Sequence, residues 1–363
     1  MINRITITLL IASFVFYSCN QRQAPPRNNP PIQVEGKTFE EQAMELLEKI
    51  DKETKIENKL KQEENKFSEG VQEVLEWYDY QYPIVKLYSN PTFINSNSSY
   101  NQLLKEDPLS VKALKLNNVP NDDPIKIKDI SIFKNLEYLE LNSFDSLPTG
   151  FYDLTKLKVF MSSNRMRCKM TNEISKLKNL QFIKSLFANL ELNEEINKLK
   201  KLETIVMYNF STNQPYKSLY EIPSLKTLSI RYSDESQLTG ISKLRNLKTF
   251  ITNKVSPEVG DLNLTGLIVN ENQDEGYPEN LGNLKNLVAF YWQGNSTMDT
   301  APKFVQNLQN LEYLEIRGCS NFKYIPSEYD NLGNLKQFDI VSGPRFDGEI
   351  NHLEKIKEKI NIK

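Results

Sequence analysis

The chain has 363 residues, with 45 basic and 47 acidic side chains for a net charge of −2, and three cysteines. So balanced a surface carries no electrostatic footprint for nucleic acid or an anionic membrane, and no nucleic-acid partner is expected. Three thiols cannot build a disulfide framework. The single histidine, His352, leaves almost nothing for zinc sites, Cys–His nucleophile pairs or Ser-His-Asp triads.

The first element is a leader. "MINRITITLLIASFVFYSC" has one charge, Arg4, then apolar, small or hydroxylated residues from Ile5 to Tyr17, then Ser18 and Cys19. This is the layout of a secretory signal peptide over residues 1–18, and it is shorter than the roughly 20 apolar residues of a membrane span. "FYSC" resembles the lipobox of bacterial lipoproteins. That resemblance implies lipidation of Cys19 and a place in the bacterial cell envelope, on an outer membrane facing the periplasm or the surface. Residues 19–36, "CNQRQAPPRNNPPIQVEG", are too poor in apolar side chains to fold and read as a tether. The membrane is therefore expected as a partner only through the lipid.

Residues 37–100 read as an N-terminal helical cap. Thr38 with Glu41 gives a capping box, followed by Phe39, Ala43, Leu46, Leu47 and Ile50 at helical spacing. After a charged stretch the pattern returns with Phe67, Val71, Val74, Leu75 and Tyr78. Trp77, Tyr78, Tyr80 and Tyr82 are expected to pack on the first repeats, with stacking on a sugar as the alternative.

Residues 101–345 are governed by a repeat. "VKALKL", "LEYLEL", "LKVFMS", "LQFIKS", "LETIVM", "LKTLSI", "LKTFIT", "LTGLIV", "LVAFYW", "LEYLEI" and "LKQFDI" begin at Val111, Leu136, Leu157, Leu180, Leu202, Leu225, Leu247, Leu264, Leu287, Leu311 and Leu335. Apolar residues recur at positions 1 and 4, and at 6 in most copies. The eleven copies resemble the leucine-rich repeat family, LxxLxLxxN. The resemblance implies an α/β solenoid: a curved parallel sheet on the concave face and short helical or irregular turns on the convex face. It also places Asn or Cys at position 9, where Asn272, Asn295 and Cys319 stand. The 17-residue step from Leu247 to the copy at Leu264 is the shortest of the series and predicts one shortened outer segment there. Cys168 and Cys319 belong to different repeats, and no bridge between them is expected. "NENQDEG" (270–276) falls short of a calcium loop, since its glycine comes seventh. No metal, cofactor or catalytic residue is assigned.

On each strand, positions 4 and 6 face the core, so position 5 faces the open concave side. That column runs Lys115, Glu140, Met161, Lys184, Val206, Ser229, Ile251, Ile268, Tyr291, Glu315, Asp339. Its apolar stretch, Val206, Ile251, Ile268 and Tyr291, flanked by Tyr208 and Tyr313, is the expected partner-binding strip. Residues 346–363, containing "GEINHLEKIKEKI", read as a C-terminal helical cap. The functional expectation is a monomeric, non-enzymatic recognition protein that binds a protein or peptide through the concave face. A glycan-binding accessory lipoprotein is the alternative, and a hydrolase, which needs a paired-carboxylate cleft, is the third class.

Overall fold

The computed structural model describes residues 66–78, 82–119, 123–163, 167–186, 189–207, 217–230, 235–270, 277–293, 299–318, 323–341 and 352–362. All lie in one of the chain's two compact units, Glu64–Lys363. The leader, Cys19, the tether and the first helical stretch lie outside the described residues, as do Tyr80, Tyr208, Asn272, Asn295 and Cys319.

Strands β1 (Thr92–Ile94), β2 (Ala113–Asn117), β3 (Tyr138–Asn142) and β4 (Val159–Ser163) open the sheet. β5 (Arg167–Lys169), β6 (Phe182–Leu186), β7 (Asn189–Glu191), β8 (Thr204–Met207), β9 (Thr227–Ile230) and β10 (Thr249–Thr252) follow. β11 (Gly266–Val269), β12 (Ala289–Gln293), β13 (Tyr313–Arg317), β14 (Gln337–Val341) and β15 (Ile360–Ile362) complete the series. Thirteen of them form one open parallel sheet in chain order; β5 and β7 pair separately beside it. Among the described residues the α-helices are α1 (Glu69–Tyr78), α2 (Pro83–Lys86) and α3 (Asn97–Leu103).

The register follows the repeat without slippage. Leu114 pairs with Leu139, Leu139 with Phe160, and so on to Leu314 with Phe338. Positions 1 and 4 of all eleven copies are buried in one continuous core. One copy could not cover its own apolar face; stacking lets each coil serve as the next one's cover. The outer turns are 3₁₀ helices, and their sequence explains them. Pro278, Leu281 and Leu284 stand three apart, as do Pro302, Val305 and Leu308, and Pro326, Tyr329 and Leu332. Three residues per turn is the 3₁₀ period, so the apolar members align inward. Each proline carbonyl accepts the N–H three residues on, at 3.0–3.2 Å.

A ladder of amides ties the coils together. Asn135, Asn179, Asn246, Asn310 and Asn334, each one residue before a position-1 leucine, donate Nδ2–H to carbonyls of the preceding coil: Leu109, Thr155, Pro223, Lys285 and Gln309, at 2.7–2.9 Å. Ser224 holds the same place, its hydroxyl donating to Leu202 O at 2.8 Å. Carbonyls at a coil corner have no strand partner, and these amides satisfy them.

Three expectations are corrected. The short step after Leu247 keeps its outer 3₁₀ helix, Pro257–Asp261. What shrinks is the connector 253–256, where Thr252 Oγ1 accepts from Lys254 N at 3.1 Å in a tight turn. Over the described residues 352–362 the C-terminus forms no α-helix: Leu353 and Ile356 are buried in a turn whose N–H groups converge on the Asp330 carboxylate, a single 3₁₀ turn follows at Lys357–Lys359, and Ile360–Ile362 then adds β15 beside β14. Its isoleucine alternation suits a strand with one covered face. His352 stacks on Tyr324 at 5.4 Å, its Nε2 2.8 Å from Ile325 O. The N-terminal cap is built by β1 and α3, whose Tyr100 and Leu103 enter the repeat core. Residues 67–88 go elsewhere.

Leu314 lies fully buried in this core. Leu314→Ala should cost about 2–5 kcal/mol in equilibrium denaturation. Lys303→Ala, on an outer turn, should stay within about 0.5 kcal/mol. Equal effects would contradict the strand phase.

Candidate functional site

Position 5 does face away from the repeat core, but the face is not open. Val206, Ile251, Ile268, Tyr291 and Tyr313 are 0, 7, 1, 3 and 5 % exposed. They are covered by residues 67–78 and 82–88, which form a second hydrophobic cluster separate from the repeat core: Phe67, Val71, Val74, Trp77 and Tyr82 with these strand residues. The expected exposure of the strip is thus corrected. Sequence alternation assigns a side chain to a face and says nothing of what else lies on that face.

The seat of α1 is shaped by position 3, which shares the concave face with position 5. Along that column the residues are bulky at Tyr138, Val159 and Phe182, fall through Thr204, Thr227 and Thr249 to Gly266 and Ala289, and rise again at Tyr313. The helix sits over the low stretch. A Cβ at Gly266 would collide with the Val74 methyl groups and lie 3.2 Å from Val74 Cβ; a Cβ on Gly70, in the helix, would make a looser contact, 3.2 Å from Val288 Cγ2. Glycine here serves close approach of two elements, since its φ is ordinary.

Charge also fits the helix. Ser68 N–H, at the amino end of α1, donates to Glu312 Oε2 at 2.9 Å. Burial pushes the Glu312 carboxyl up, but Lys336 and Ser68 outweigh it and hold it below its usual range. At the other end the Arg317 guanidinium lies 5.4 Å over the ring of Tyr78, the last helical residue. Glu312 and Arg317 bracket β13, so α1 runs along the strand direction. A carboxylate at the helix amino end and a cation at its carboxyl end both favour that polarity.

Beyond α1 the chain crosses the sheet toward its first strands. Tyr78 stacks on Tyr291, rings 4.3 Å apart; Tyr82 tilts against Phe182 at 5.3 Å; Tyr88 lies against Tyr138 at 5.3 Å. Phe67 meets Tyr313 edge-on at 5.7 Å. The aromatics therefore do not gather on the first repeats as expected; they are spread from β13 to β3, about 38 Å at the usual 4.8 Å strand spacing. Lys184 Nζ sits 4.6 Å from the Tyr82 ring, and burial pushes its ammonium below the ordinary lysine value. Burial and the bond to Glu137 push Tyr88 up to about 12.

The two tyrosines at the ends of this strap come from the two "LEYLE" copies, and they share one device. Tyr138 donates to Glu140, two residues on along the same strand face, at 2.7 Å, and Tyr313 donates to Glu315 at 2.6 Å. Burial pushes Glu140 up, but bonds from Lys115, Asn142 and Tyr138 more than offset it. At the other end Tyr313 Oη is also 2.9 Å from Asp339, and Arg317 pairs with Glu315. Glu315 and Asp339 are thus a buried network under the strap, although position 5 alone makes them surface residues. They are neighbouring carboxylates sealed from solvent, not a cleft. Trp77 Nε1 and Thr249 Oγ1 are buried beneath the strap with no hydrogen-bond partner among the described residues, a desolvation cost of about 1–3 kcal/mol each.

Sequence reasoning missed the strap's destination. The signals were the run of small residues in column 3 and an amphipathic segment, 67–78, with no assigned cover. Cys168, on β5, is half-buried and its thiol is pushed up by burial.

The Val74–Gly266 contact predicts a non-additive pair. Gly266→Ala should cost about 1–3 kcal/mol by overpacking, and much less in a Val74→Ala background. A coupling energy of at least about 1 kcal/mol is expected from the double-mutant cycle; additivity would mean that α1 does not sit there.

No protein-family model and no curated protein matches the sequence. Among solved structures it is similar to an internalin (InlF) of Listeria monocytogenes, at 15% identity over 69% of this chain and 72% of that one, TM-score 0.48. A leucine-rich repeat protein of Leptospira interrogans gives 19% identity over 69% and 84%, TM-score 0.34. A plant peptide hormone receptor, RGFR1, in complex with RGF2 gives 21% over 64% and 43%, TM-score 0.44, so the chain spans less than half of that receptor. By its own repeat register and open thirteen-stranded parallel sheet, the chain is a leucine-rich repeat solenoid.

Proposed function

We propose that this chain is a lipid-anchored, extracytoplasmic, non-catalytic protein that binds another protein or peptide. One observation carries the binding reading: the concave face is already a fitted polypeptide seat, with a trough of small residues at Thr249, Gly266 and Ala289 and charges matched to a helix. A surface that holds one amphipathic segment by shape and polarity has the means of holding another. The aromatics that would form a sugar platform are packed on one another, which supports a polypeptide ligand over a glycan. The anchor rests on Cys19 at the end of the leader and on the tether after it.

Lys115 stands at the rim of the face, half-exposed, paired with Glu140 at 2.8 Å. A photoreactive residue placed there should give protein adducts in intact cells, and one at Lys303, on the outer turns, should not. Adducts from neither position, or only glycan adducts, would sink the binding reading. Separately, Cys19→Ser should abolish fatty-acid labelling and release the protein from the membrane fraction, since lipid chains supply the hold; unchanged labelling would sink the anchor.

A further inference from the structure

We infer that residues 67–88 are an exchangeable, built-in occupant of the concave face, and that the partner is an amphipathic helical segment of another chain that replaces α1. The inference rests on the binding reading above and adds to it the chemistry of the partner and the regulation of the seat.

Two observations make the strap separable. Its side chains form a cluster of their own, while the repeat core is complete on the other face of the sheet. Lifting the strap therefore exposes one face and leaves the stacked coils filled. Apart from the Ser68 N–H held by Glu312, the described backbone bonds of the segment close within it: Gln72 N to Ser68 O, Val85 N to Tyr82 O and Tyr88 N to Val85 O. It can move as a unit without breaking the sheet ladder, turning about 89–91, "SNP", before β1. The buried Trp77 Nε1 and Thr249 Oγ1 gain water when it lifts.

The seat specifies what can replace α1. At Gly266 the bare backbone leaves the space that the Val74 side chain fills, so an aliphatic side chain seats there at close approach. Four residues on from Val74, Tyr291 and Arg317 take a flat aromatic. Four residues before the first valine, Tyr313 meets a ring edge-on. The Glu312 carboxylate requires the helix amino end on its side. The partner is thus a helix with the spacing aromatic–x3–Val–x2–Val–x2–Trp–Tyr, entering amino end first at β13. Such a segment competes with a strap already tethered at high effective concentration, so its apparent affinity falls with the fraction of seats that are open.

The probe is a fluorescent synthetic peptide of residues 66–88, titrated into the full chain. Tyr78→Ala in the chain removes a stacking contact from the strap but leaves the seat whole, so it should raise peptide affinity about ten-fold. The reverse device is Val74→Cys with Gly266→Cys, in a Cys168→Ser, Cys319→Ser background. The distance of 3.2 Å from a Gly266 Cβ to Val74 Cβ needs only a small opening to reach the roughly 3.5–4.5 Å of a disulfide. For this variant the peptide carries Val74→Gly, which leaves room for the side chain introduced at position 266; oxidised, the chain should bind none of it, and reduced, it should bind it again. No binding to either Tyr78→Ala or the reduced variant, or equal binding to the oxidised and reduced forms, overturns the inference. Hydrogen exchange separates it from the parent reading. If α1 amides exchange only as slowly as those of β12 and β13, the strap is permanent and the inference fails, while adducts at Lys115 still uphold protein binding. If α1 exchanges fast and the peptide binds, but Lys115 gives no adducts in cells, the seat is exchangeable and the proposed function is what falls.

Discussion

A parallel sheet has two faces, and both need cover. Everything else in this molecule answers that constraint. One face is covered by the coils, each lending its apolar positions 1, 4 and 6 to the next. The other is covered by a segment that precedes the first strand in sequence and reaches almost to the last in space. The strand residues show this double demand directly: β8, β9, β10 and β11 are buried at every position, with no polar-out alternation. Val206, Ile251 and Ile268 are apolar because they are core residues of a second, thinner layer.

Most of the solenoid was legible because its information is local and repeated. A leucine every 17–25 residues fixes strand phase, and phase fixes register, so eleven copies made the pairing unambiguous. The Pro-x-x-apolar-x-x-Leu pattern marked the outer turns, although only the structure shows that its spacing of three is a 3₁₀ helix. The amide ladder was visible in the Asn-Leu that opens seven of the eleven copies, but it stands one place before position 1, away from the position-9 asparagine to which the family pattern points. The strap was illegible for a different reason. Phe67 and Tyr313 are far apart in sequence and carry no shared period, so nothing local announces their contact. A helix pattern alone does not say which surface it will cover, and the N-terminal end of the stack was the nearest one in need. The C-terminal segment misled through its charges: "EKIKEK" suits a solvated helix, yet its isoleucines also alternate, and an uncovered strand edge at β14 decided for β15.

The two Tyr-x-Glu strands, β3 and β13, deserve comparison because they differ in surroundings. At β3 the glutamate meets Lys115 and Asn142 and is partly solvated. At β13 two carboxylates flank one phenol. A single hydroxyl proton cannot be donated to both at once, so Gln337 and Asn361, both donating to Asp339, and Arg317 beside Glu315 complete the set. Tyrosine serves both ends because its ring meets the strap while its hydroxyl meets the carboxylate.

The strap's length has a mechanical meaning. A stack in which each coil touches only its neighbours behaves as a chain of weak links: its ends fray, and an opening in the middle is not felt elsewhere. Here Ser68 bonds a residue 244 positions away, and Tyr88 grips β3 while Phe67 grips β13. The segment works as a tie-rod over eight interstrand steps, so pulling the end coils apart loads aromatic contacts along its whole run at once. Such long-range closure slows folding, because distant pieces must be ordered before they meet. Once formed, it makes a one-dimensional array resist extension as a single body.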